Sequence, residues 1–110
     1  MPLVKIFVDD GVAKEAVPRL CAGLPDLRLL ICNLMKVDLA LCQISIVPCF
    51  GLPDQAQVSV EVNLLRHPDR TKGAVQEACS LFRDAIQRMS SVASAVRANM
   101  MDGANYVVIR

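Results

Sequence analysis

The chain has 110 residues, enough for one domain. Over half of them, 54%, are hydrophobic, and the mean hydropathy is +0.40; so small a core leaves apolar surface outside, which self-association would cover. Twelve basic and eleven acidic residues give a net charge of +1 with no basic block and no Trp, which excludes the electrostatic footprint of a nucleic-acid binder.

The five cysteines, Cys21, Cys32, Cys42, Cys49 and Cys79, are odd in number and contain no Cys-x-x-Cys. They read as reduced, mostly buried thiols of a cytoplasmic protein. His67 is the sole histidine, so no metal site and no cofactor is expected. No basic start leads into an apolar run, and the apolar stretch 27–35 is interrupted by Arg28 and Asn33. Neither a signal peptide nor a membrane span is expected.

Residues 3–8 alternate as a strand, with Val4, Ile6 and Val8 on one face and Leu3, Lys5 and Phe7 on the other. Pro2 precedes it, where a missing N–H costs no ladder bond. Asp10 and Gly11 are expected to end the strand, glycine permitting a sharp exit. Residues 12–24 and 26–36 carry apolar residues at helical spacing, with Leu27, Leu30, Ile31, Leu34 and Met35 as the second stripe. Pro18 and Pro25 interrupt the pattern, which predicts two short helices or one kinked helix.

Residues 42–49 form the second strand, with Ile44 and Ile46 on one face and Pro48 ending regular pairing. A loop with Gly51, Pro53 and Asp54 follows. Residues 57–64 alternate cleanly over Val58, Val60, Val62 and Leu64 as the third strand. The second helix is expected to be capped by Asp69 and to run to about Ser91, with Val75, Ala78, Phe82, Ala85, Ile86 and Met89 as its inner stripe. Residues 90–102 are open, with helical continuation through Val92, Val96 and Met100 as one reading. A last strand is expected over 106–109.

The order is strand, helix, strand, twice over, in halves spanning about 2–50 and 57–110 of a single domain. Each half is long enough for a crossover between parallel strands. The resulting α/β (α+β) domain has a four-stranded sheet with its helices on one face. The ferredoxin-like sandwich shares this element order, and periodicity does not separate the two.

The chemistry begins at Pro2. A small residue after Met1 favours removal of the initiator, which would leave Pro2 a free secondary amine. Near cations or in a poorly solvated pocket, the pKa of such an amine falls toward neutrality, where general base catalysis is most effective. Pro2, the alternating strand and the closing Asp-Asp-Gly together resemble the tautomerase superfamily, which includes 4-oxalocrotonate tautomerase, 5-carboxymethyl-2-hydroxymuconate isomerase and macrophage migration inhibitory factor. The resemblance implies a repeated β-α-β fold, a homotrimer and an amino-terminal proline that transfers the proton of a small α-keto or enol acid.

The 4-oxalocrotonate branch has an arginine after the glycine that follows strand one, and another in its second strand. Val12 and Gln43 stand nearest those places here. Lys36, Tyr106 and the Val47-Pro48 step resemble features of the migration inhibitory factor branch. That comparison makes Lys36, Tyr106 and Asn63 candidate substrate-binding residues. Arg70, at the start of the second helix, is a candidate anion ligand. The more ordinary roles are a helix-end cation for Lys36, a half-buried strand aromatic for Tyr106 and a solvated turn for Arg70. The alternative reading is a catalytically silent tautomerase-like or ferredoxin-like binding module.

Overall fold

The computed structural model describes residues 2–110; Met1, on whose removal the basicity of Pro2 depends, lies outside the described residues. Four strands, β1 (Leu3–Asp9), β2 (Gln43–Cys49), β3 (Val58–Leu65) and β4 (Ser94–Met101), form one sheet in the order β2-β1-β3-β4. Helix α1 (Asp10–Met35) links β1 to the parallel β2, and α2 (Lys72–Ser90) links β3 to the parallel β4. The central pair, β1 and β3, is antiparallel. Two β-α-β units thus lie edge to edge. A ferredoxin-like sheet would separate β1 from β2, so register now decides what element order left open.

The core lies between the sheet and both helices. Val4, Ile6 and Val8 stand opposite Val62, Val60 and Val58, and all six are excluded from solvent. Ile44 and Ile46 of β2 share this face, as their alternation predicts. The helices add Leu20, Leu27 and Ile31 from α1 and Phe82 and Ile86 from α2. The other sheet face has no covering layer. It carries Leu3, Phe7, Val47, Leu65 and Met101, all half-buried, around a charged row of Lys5, Glu61 and Arg97 in register.

The single-helix alternative holds for α1, and four other expectations need correction. Helix α1 is a single helix with Pro18 and Pro25 inside it. Each interior proline costs about 3 kcal/mol. Burial of Leu20, Leu27 and Ile31 returns roughly 1.5–3 kcal/mol per side chain, comparable in total to that cost. Both proline rings lie on the exposed side, where water reaches the carbonyls they leave unbonded. At the start of α1, no glycine takes positive φ, and Gly11 is helical. The turn is made by Asp9, whose carboxylate accepts from Gly11 N (2.8 Å) and from Gly51 N (2.7 Å), capping the helix and tying down the loop after β2.

The cap of α2 is Thr71, whose Oγ1 accepts from Ala74 N at 3.1 Å. Asp69 instead sits in the preceding turn, its N–H donating to His67 Nδ1. Finally, the fourth strand is 94–101, and residues 106–109 pair with no strand. Val96, Ala98 and Met100 alternate toward the helices and match a strand as well as a helix, which is why the sequence left this stretch open. Pro48, expected to end pairing, lies within β2. The Gln43 N–H donates to Pro2 O at 3.1 Å, so odd-numbered positions of β2 face β1. The nitrogen of Pro48 therefore points to the open edge and breaks no ladder bond.

Cys32 and Cys42 are buried, Cys49 and Cys79 half-buried and Cys21 exposed. Burial pushes the Cys42 thiol up to about 12; neighbouring Cys32 adds to this and Arg28 opposes it. Burial also raises Cys79.

The caps and thiols generate two tests. Thr71→Ala should cost about 1 kcal/mol, and Asp69→Ala should stay within about 0.5 kcal/mol, as read by urea denaturation. Because the thiolate is the nucleophile, iodoacetamide at pH 8 should label Cys21 in the folded protein. Cys32 and Cys42 should label only after unfolding, as read by peptide mass spectrometry.

Candidate functional site

The first residue of β1, Leu3, is level with Gln43 of β2 and Asn63 of β3. Pro2 lies one step beyond, buried, at the sheet end where β3 and β4 finish. The same end receives the C-terminus of α1 and the N-terminus of α2. A cleft of about 260 Å³ opens there, lined by Met35, Lys36, His67, Asp69, Arg70 and Val75, among others.

Arg70 closes the corner. Its Nη1 donates to Leu65 O (2.8 Å) and its Nη2 to Met35 O (3.4 Å), joining the end of β3 to the last turn of α1. The second bond satisfies one of the carbonyls a helix C-terminus leaves open. Lys36 ends α1 in the left-handed conformation (φ 57°), with its N–H on Cys32 O. A lysine there gains from the helix dipole but carries the steric cost of positive φ. Its side chain is exposed at the cleft.

Two of the five candidate residues, Lys36 and Arg70, therefore share one cleft, and Pro2 is buried at the same end of the sheet. Asn63 belongs to the opposite, uncovered face, beside Asn99 and near Glu61 and Arg97 in a shallow depression. Tyr106 follows a 3-10 turn (Gly103–Asn105) after β4, half-buried and outside any strand. Val12 lies in the first turns of α1, and Gln43 is exposed at the start of β2. Both are thus uncharged where the 4-oxalocrotonate branch has arginine.

His67 and Asp69 line the cleft as well; the sequence marked Asp69 only as a helix cap and His67 only as the sole histidine. A lone histidine in a turn carries no spacing signal; only Pro68 between them marked the turn. His67 Nδ1 accepts from Asp69 N (3.2 Å), which puts the ring proton on Nε2. The 3.6 Å approach of the same nitrogen to Asp69 Oδ2 is thus not a hydrogen bond in this form. Among the described residues, no three His, Cys, Asp or Glu side chains are placed to hold a metal ion. None of their helices is long and apolar enough to cross a membrane. A larger groove of about 820 Å³ lies elsewhere, between α2 and the outer edge of β4.

No family model matches the sequence, and no curated protein matches it. Solved structures do match. A member of the cis-3-chloroacrylic acid dehalogenase family is similar over 96% of this chain and 79% of its own, with 13% identity and a TM-score of 0.71. A fused 4-OT described as an asymmetric trimer is similar over 96% and 91%, with 13% identity and a TM-score of 0.69. Malonate semialdehyde decarboxylase is similar over 98% and 91%, with 12% identity and a TM-score of 0.65. These neighbours are tautomerase superfamily members, and the chain has the fold of that superfamily.

Proposed function

We propose that this chain is a keto–enol tautomerase of small α-keto or enol acids, with Pro2 as general acid and base. The observation that carries the reading is the placement of Pro2. It is buried at the sheet end where Lys36 and Arg70 bring two cations to one cleft. Removal of Met1 makes its nitrogen a secondary amine, and burial beside cations lowers the pKa of such an amine. The unprotonated amine takes the proton of the enol O–H as the carbonyl forms, and a proton from the resulting ammonium goes to the adjacent carbon. Lys36 and Arg70, with the N-terminus of α2, hold the substrate carboxylate. Tyr106 and Asn63 complete the substrate contacts from a neighbouring copy.

The assembly in this reading is a homotrimer in the cytoplasm. The half-buried apolar residues of the uncovered sheet face support it, as does the trimer described for the fused 4-OT neighbour. A second reading, a silent binding module of the same fold, is favoured by Val12 and Gln43. It is favoured too by the two carbonyls that already engage Arg70.

Ketonisation of enol phenylpyruvate and related enols separates the two readings. Intact-mass measurement first confirms that Pro2 is free. A rate no greater than buffer then removes the enzyme reading for this substrate class. Pro2→Ala should lower the rate at least tenfold, within the roughly 10²–10⁴ that acid–base groups contribute, and leave stability nearly unchanged. Lys36→Gly is a cleaner probe of the cation. Glycine suits the left-handed position and should hold or raise stability by up to about 1 kcal/mol. The lost charge should raise KM more than it lowers kcat. Unchanged kinetics would return Lys36 to the role of a helix cap.

A further inference from the structure

Two of the five cysteines meet in the core. Cys32 stands in the last turn of α1 and Cys42 directly before β2, and both belong to the buried cluster, at 2% and 7% exposed. Their thiols are hydrogen-bonded to each other. Cys32 Sγ also lies 4.0 Å from Asp38 O, a weak contact of a weak donor. The other thiols are elsewhere. Cys49 ends β2 level with Asp9, Cys79 lines the groove between α2 and β4, and Cys21 is exposed on α1.

A buried cysteine is ordinarily a small hydrophobe. This pair has features that role does not need. The contact between the sulfurs presents two soft donors to one point. Arg28, one turn before Cys32 on α1, acts electrostatically on Cys42. Two thiolates around one monovalent cation carry a single negative charge, and a guanidinium nearby offsets it. The cover is also thin. Residues 36–41, which join α1 to Cys42, include no buried side chain. They end in a 3-10 turn (Leu39–Leu41) held by Leu41 N on Asp38 O (3.0 Å) and Cys42 N on Leu39 O (3.1 Å). Little packing has to be undone for an ion to reach the sulfurs.

The number and softness of the ligands narrow the ion. Structural zinc takes four ligands, and among the described residues no third His, Cys, Asp or Glu joins the pair. Calcium and magnesium take oxygen ligands, whereas this pair sits among apolar side chains. Cuprous copper is soft, selects thiolates and is satisfied by two of them in line.

We propose that Cys32 and Cys42 bind one Cu(I) ion per chain as a two-coordinate bis-thiolate. Each thiol gives its proton to solvent as its S–Cu bond forms, so two S–H bonds are exchanged for two S–Cu bonds and two protons leave. Copper keeps its oxidation state and no electron moves. Because the ion takes the place of the protons, no bare thiolate stands in the core. The site lies at the junction of α1 and β2 and does not depend on the chemistry of Pro2.

The test is anaerobic titration with Cu(I), supplied as its acetonitrile complex, in competition with bathocuproine disulfonate. The chain used is Cys21→Ser/Cys49→Ala/Cys79→Ala, which keeps only the pair, with circular dichroism to confirm folding. It should take up one ion. Cys32→Ala or Cys42→Ala in that background should weaken binding at least about a hundredfold, since changes outside the ligands already cost roughly 10–100-fold. Should a variant misfold, the wild type with Cys21 blocked by iodoacetamide takes its place. In either protein, X-ray absorption at the copper edge should show two sulfur neighbours and no nitrogen or oxygen. Copper taken up by the wild type but not by the folded background, an affinity unchanged in either alanine variant, one ion shared between two chains, or a shell other than two sulfurs overturns the site.

Discussion

The structure depends on the central antiparallel pair of β1 and β3. Val4, Ile6 and Val8 meet Val62, Val60 and Val58 in register, each on the helix side of the sheet. Side-chain direction has a period of two, so a one-residue slip would turn all three positions of either strand outward. This pairing sets the two β-α-β units edge to edge, brings both helices onto one face and places Pro2 at the sheet end where both helices also have a terminus.

From that pairing follows a division of labour between the two ends of the sheet. At one end, Asp9 serves three contacts. Its carboxylate caps α1 and binds Gly51 N, and its N–H donates to Gln57 O at 2.8 Å. Gln57 in turn holds the loop through Leu52 O and Gln55 O. At the other end, Arg70 performs the matching task with its guanidinium across Leu65 and Met35. The first end is closed by a carboxylate on backbone amides, the second by a cation on backbone carbonyls. Only the second has the buried Pro2 at the same sheet end as the cationic side chains of Lys36 and Arg70.

The uncovered sheet face and the unpaired segment after β4 have one physical origin. A sheet this small has two helices to cover one face and nothing left for the other, and its edges stay open. The high hydrophobic fraction of the chain is accounted for in the same terms. Part of it fills the core, and part remains on Phe7, Val47 and Met101 of the open face and on Val107 and Ile109 beyond the sheet.

The sequence by itself determined β1, β2, β3 and the inner stripe of α2, because strict alternation and 3.6-residue spacing are local properties of a chain with one wet and one dry side. It also singled out Pro2, by position, Arg70, by charge at a helix start, and Lys36, through its resemblance to the migration inhibitory factor branch. Tertiary structure decided the rest. Strand order came from which stripes bury one another, and periodicity does not record partners. The continuity of α1 came with burial comparable to the cost of Pro18 and Pro25, whose rings lie on the exposed side. Strand β4 formed over 94–101 because β3 offered it a parallel edge, and 106–109, stronger by local propensity, leave a 3-10 turn and pair with no strand. The meeting of Lys36 with Arg70 was likewise a consequence of packing. Their cleft exists because α1 ends where α2 begins, a coincidence of lengths that no single segment encodes.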